Sequence, residues 1–108
     1  MKTTKSEIKT MAIGILFSPD PPRQKIDLDR GIASALAAKN GLPKYEPDGM
    51  LFGENWLMFS EVFWELIVDK IITPGMSSVH AELPWFRLHS QASENLKRQE
   101  QYQRDSGL

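Results

Sequence analysis

The segment Glu54–Lys70, ENWLMFSEVFWELIVDK, constrains this chain more than any other. On a helical wheel Trp56, Phe59, Phe63, Leu66 and Ile67 form one apolar stripe and Leu57, Trp64 and Val68 a second. Glu61, Glu65 and Asp69 are left as a narrow polar strip at i, i+4, i+8 spacing. The acidic start and the closing Lys70 both complement the helix macrodipole. A helix that is apolar around most of its circumference must be central in a fold or buried in a partner. With 108 residues, 41% hydrophobic and 25% charged, the chain fits one domain with its own core. One further amphipathic helix and a hairpin are too little to cover both stripes.

The other elements follow from periodicity and breakers. Met11–Phe17, MAIGILF, is a short apolar run preceded by a charged arm and stopped by SPDPP, and we read it as a strand. From Asp27 to Lys39 the apolar positions Leu28, Ile32, Ala35 and Leu36 recur at helical spacing, until Asn40 and Gly41 end the run. GLPKYEPDGMLFGE is rich in Pro and Gly and predicts a loop. After the apolar helix, IITPGM and the alternating LPWFRLHS predict the two arms of a hairpin with a long tip. Residues 92 to 104 predict a polar, solvated tail helix.

Charge and composition exclude several functions. Without Cys there is no disulfide, thiolate zinc site, iron–sulfur cluster or Cys nucleophile. Net charge is −1 overall, yet it runs +4 over residues 1–44, −6 over 45–69 and +1 over 70–108. The acidic middle between basic flanks argues against a general nucleic-acid coat. Glu7 interrupts the basic-then-apolar N-terminus and no small-x-small cleavage site follows, so we expect an unprocessed, cytoplasmic chain. No segment approaches the roughly 20 apolar residues that cross a bilayer.

The order helix, turn region, apolar helix, long-tipped hairpin, together with FWELIVDKIITPGM and LPWFRLHS, resembles winged-helix segments of bacterial proteins over about residues 55–90. The resemblance implies an α+β winged-helix-like domain. Residues 1–26 would form a basic arm and short strand, 27–90 the core and 91–108 the helical tail. It also implies that the helix before the wing can enter a DNA major groove while the wing touches the backbone. Here that helix carries Glu61, Glu65 and Asp69, which phosphates repel.

The candidate nucleic-acid contacts are therefore the flanks: Lys2, Lys5 and Lys9 in the arm, Arg23 and Lys25 before the first helix, Ser77, Ser78 and His80 in the wing, and Arg87 on the return strand. The alternative is ordinary surface charge. His80, Glu82 and His89 lack the fixed spacing of a metal site, so no metal is expected. The acidic strip lacks a nearby nucleophile or oxyanion donor, so we expect neither an enzyme nor a cofactor nor a small-molecule substrate. The surplus of aromatic surface points instead to a homodimer or a heteropartner protein, with Trp56, Phe59, Phe63 and Trp64 as buried anchors. The leading expectation is a non-catalytic winged-helix interaction module that self-associates or joins a larger protein complex, one acting on DNA being an option. A dimeric DNA-binding regulator is the alternative.

Overall fold

The computed structural model describes residues 3–42 and 49–106, with side chains to residue 101. Its elements are α1 (Lys5–Leu16), α2 (Lys25–Lys39), α3 (Gly53–Val68), β1 (Ile72–Pro74), β2 (Phe86–Leu88) and α4 (Ala92–Ser106). The α+β class expected from sequence is the observed one: four helices and a two-stranded antiparallel sheet.

The strand expected at Met11–Phe17 is corrected: Met11–Leu16 is the second half of α1, which also holds Lys5 and Lys9, and Phe17 is its C-cap. The reason is local. Thr4 accepts a hydrogen bond from the Glu7 N–H at 3.2 Å, and its hydroxyl donates to Glu7 Oε1 at 3.3 Å, which starts the helix at Lys5, six residues before the apolar run. From there Ile8, Ala12 and Leu16 stack at i, i+4, i+8 and are fully buried. A short apolar run fits a strand or a buried helical face equally well, and the cap decides between them.

α2 begins two residues before the expected Asp27, and it buries Leu28, Ile32, Ala33, Leu36 and Ala37. It closes on a Schellman motif: Leu42 N–H donates to the Ala37 carbonyl at 2.8 Å and Gly41 N–H to that of Ala38 at 3.1 Å, with Gly41 at φ +70°. α3 ends the same way, with Ile71 N–H on the Leu66 carbonyl at 2.9 Å. Here the left-handed position is filled by Lys70, at φ +59°. The Asn95 side chain of α4 donates to the Lys70 carbonyl at 2.8 Å and holds that turn in place.

α1, α2 and α3 enclose the core, whose centre is Phe59, Phe63, Val62 and Leu66 of α3. Phe86 from β2 meets Phe63 edge-to-face, with ring centroids 5.6 Å apart. The strands pair Ile72 with Leu88, Thr73 with Arg87 and Pro74 with Phe86. The segment before α2 extends this sheet: Gln24 bridges Trp85, Lys25 N–H donates to the Pro84 carbonyl at 3.0 Å and Phe86 N–H to that of Arg23 at 2.8 Å. Ala92 and Leu96 seat α4 against the core. Among the described residues no helix is long and apolar enough to cross a membrane.

Candidate protein-interaction face

The two stripes of α3 have opposite fates. Phe59, Phe63 and Leu66 are buried in the chain's own core, whereas Leu57 is 59% exposed, Trp64 56% and Val68 74%. These three lie at i, i+7 and i+11, along one line on the outer side of the helix. Trp56, 43% exposed, continues the apolar surface toward α2. The anchor set expected from sequence is corrected accordingly. Phe59 packs against Phe63 and Phe63 against Phe86, and both are buried, so they cannot face a partner; Trp56 and Trp64 can. Leu57 and Val68 join them, a pair visible in sequence as part of the second stripe.

Part of the acidic strip pairs within the chain, although the Glu61 side chain stays 65% exposed. Lys5 pairs with Glu65 and lies 3.6 Å from Glu61, while Lys9 lies 3.6 Å from Glu65. A further pair joins Lys39 of α2 to Glu7 of α1. Lys5 holds the Glu65 carboxyl below its usual range, and Lys39 does the same for Glu7. Like most exposed pairs these contribute little each, because solvent screens them. Lys5 and Lys9 join α1 to α3, and Glu7 joins it to α2.

That pairing removes cations from the candidate nucleic-acid set. Lys5 and Lys9 are engaged with α3. The Lys25 ammonium lies over the rings of Phe63, Trp56 and Phe59, at 5.2, 5.7 and 5.9 Å from their centroids. Arg87 donates to the carbonyls of Gly75 at 2.8 Å and Pro74 at 3.3 Å. In the hairpin loop between β1 and β2, Ser77 Oγ accepts from the His80 N–H at 3.2 Å, and the His80 ring stacks on Trp85 at 4.0 Å. Ser78 is exposed. Lys2 lies outside the described residues. Of the described cations in the set, Arg23 alone has no side-chain partner among the described residues.

His89 Nδ1 accepts from the Gln91 N–H at 3.0 Å and so serves the turn into α4. Among the described residues no three His, Asp or Glu side chains come together as a metal cage.

One buried polar side chain lies close to this face. Asp29 of α2 is only 3% exposed, and its Oδ1 accepts from the Leu51 N–H at 2.7 Å, tying α2 to the segment that enters α3. Burial pushes its carboxyl above the usual aspartate value, and the Leu51 N–H and the nearby Lys25 and Arg30 charges offset this in part. An acid standing in the Leu28, Ile32, Ala33, Leu36 stripe is the sequence signal that could have singled it out.

No protein-family model, no curated protein and no solved structure matches this chain.

Proposed function

We propose that this chain is a non-catalytic interaction module of winged-helix type that self-associates, or joins a larger complex, through the outer face of α3. The observation that carries the reading is the exposed line Leu57, Trp64 and Val68, with Trp56 beside it. From a full area of about 250 Å² for a Trp side chain, the two indoles expose roughly 250 Å² together, and the aliphatic pair brings the patch to about 450 Å². That matches the largest apolar patches of monomeric proteins, which are often functional. It also approaches the apolar share, about 65%, of the roughly 800 Å² that each partner of a homodimer buries.

Support for the winged-helix part is the order of elements. A helix is followed by a strand-like segment at Gln24, two helices, and a hairpin whose second arm pairs back with Gln24. The connection between α2 and α3 is longer than the tight turn of a helix-turn-helix motif. On this reading α3 would correspond to the groove-reading helix, and its exposed side carries Leu57, Trp64 and Val68, whereas base readout needs donors and cations. The regulator reading would have to draw on Arg23 and on the α4 cations Lys97 and Arg98, since Lys5, Lys9, Lys25 and Arg87 are engaged within the chain.

The test is mass in solution by light scattering, for the wild type and for Trp64→Ala with Val68→Ser, at low and moderate salt, with and without a 30-base-pair duplex. The expected result is a wild-type species above monomer mass, or one that copurifies with a defined partner, and a monomeric double variant of unchanged thermal stability. A wild-type monomer that forms a salt-sensitive complex with the duplex would overturn this reading in favour of the regulator.

A further inference from the structure

Beside the outer face of α3 is a shallow pocket of about 240 Å³, lined by Lys25, Ile26, Asp29, Met50, Trp56 and Pro84. It lies below the roughly 300–1,000 Å³ of drug-sized ligand sites, so its scale suits one side chain better than a whole cofactor. Three elements build it. α2 supplies Lys25, Ile26 and Asp29, α3 supplies Trp56, and the wing's return supplies Pro84, which is fixed there by the hydrogen bond from the Lys25 N–H.

The chemistry of the lining is mixed in a specific way. Ile26, Met50, Trp56 and Pro84 make apolar walls, and a carboxylate and an ammonium share the pocket. Asp29 meets one hydrogen-bond donor among the described residues, the Leu51 N–H, and that bond occupies Oδ1. Burial makes its charge costly, and a second donor would relieve it. Lys25 holds its ammonium over aromatic rings, and among the described residues the ammonium's N–H donors meet no hydrogen-bond acceptor.

Side chains can be weighed against that lining; Asn, Gln and neutral His donate and accept as a phenol does but offer less apolar surface to its walls. Arg or Lys would satisfy Asp29 but bring a second cation against Lys25, and a carboxylate would meet Asp29. A wholly apolar chain would bury both charged groups with nothing in return. An indole donates and cannot accept, and Ser or Thr is too small to touch the walls. A phenol both donates and accepts, carries no charge and has a flat apolar body.

We propose that this pocket receives the tyrosine side chain of a partner protein, its ring between Trp56, Met50 and Pro84 and its hydroxyl donating to Asp29 while accepting from Lys25. The inference rests on the reading of the chain as an interaction module, and tyrosine anchors are among the residues that dominate such interfaces.

The test uses p-cresol as the probe, titrated into the full chain labelled with ¹⁵N and with methyl-¹³C methionine. Toluene and 4-methylbenzylamine serve as comparisons. Saturable shifts are expected at the Trp56 indole N–H, assigned with Trp56→Phe, and at the Met50 methyl, with the Trp64 indole unmoved. Toluene should bind at least threefold more weakly. Asp29→Asn, which keeps an acceptor for the Leu51 N–H, and Lys25→Met should each weaken p-cresol at least threefold and leave toluene unchanged. No shift at Trp56, equal binding of toluene, or tighter binding of the amine would each overturn the proposal. The mass measurement reads the Trp64 face and this titration reads the pocket, so the two readings can fail separately.

Discussion

The tip of the β1–β2 hairpin, the wing of the proposed winged-helix reading, turns on one residue, and replacing Gly75 with Ala should damage it far more than a generic glycine substitution would. Gly75 sits at φ +88°, and a Cβ built there would lie 2.3 Å from the Ala81 carbonyl oxygen and 2.8 Å from its carbon. Those are backbone atoms, which cannot swing aside as a side-chain tip can. The left-handed conformation alone costs a non-glycine residue about 1–2 kcal/mol. Relieving the overlap means drawing residues 75 and 81 apart by about 1 Å, the shortfall from an ordinary carbon–oxygen contact of roughly 3.3 Å. The bonds that hold the neck closed are Gly75 N–H to the Trp85 carbonyl and Met76 N–H to that of His80, both 2.7 Å. At about 1 kcal/mol each, their loss brings the total to about 3–4 kcal/mol.

Gly41→Ala is the matched control. Gly41 has a similar positive φ of +70°, but a Cβ there meets nothing within 4 Å, so only the conformational term of about 1–2 kcal/mol applies. Urea unfolding of both variants, followed by tryptophan fluorescence and by circular dichroism, measures the difference. A drop of more than 10 °C in Tm should accompany Gly75→Ala, since about 1 kcal/mol moves a domain of this size by roughly 4–8 °C. If the two variants lie within about 0.5 kcal/mol of one another, the wing tolerates the methyl group and the close approach is not what requires glycine.

Two further outcomes are expected. Phe63→Ala should destabilise by about 3–5 kcal/mol in denaturant unfolding, because it empties the place between Phe59 and Phe86, whereas Trp64→Ala should stay within about 1 kcal/mol; equal costs would contradict the assignment of the two stripes. Acid should unfold the protein in part through Glu65 and Glu7, whose carboxyls are held low by Lys5 and Lys39. Their contribution is present above the ordinary glutamate value of 4.5 and is lost as pH falls below it, so Glu65→Gln should flatten the acid limb of a Tm-against-pH curve. Asp29 works in the other direction. Its raised carboxyl makes the fold less stable as pH climbs past 3.8, so Asp29→Asn should remove a decline rather than create one.

Much of this architecture is legible in the chain itself. The 3.6-residue period sets out α2 and α3, the alternation of LPWFRLHS marks the return strand, and the apolar excess of Glu54–Lys70 foretells a face that one small domain does not cover. The capping box at Thr4 and Glu7 was equally present, and reading Met11–Phe17 without it produced a strand in place of α1. Periodicity and caps are properties of neighbours in sequence, so residue types alone determine them.

What the tertiary structure decided is which faces meet. Nothing local distinguishes Phe63 from Trp64 as the buried neighbour; the choice follows from where α1, α2 and β2 pack around α3. Nor does the sequence assign a lysine to its carboxylate. Lys5 reaches Glu65 and Lys25 reaches the rings of α3 because helices far apart in the chain lie side by side, and that turns a basic flank into internal scaffolding. The pocket around Asp29 depends on packing in the same way, since its walls come from α2, α3 and the wing. Helices and turns follow from the sequence by itself, whereas burial, ion pairing and a pocket depend on long-range contacts that only the packed fold brings together.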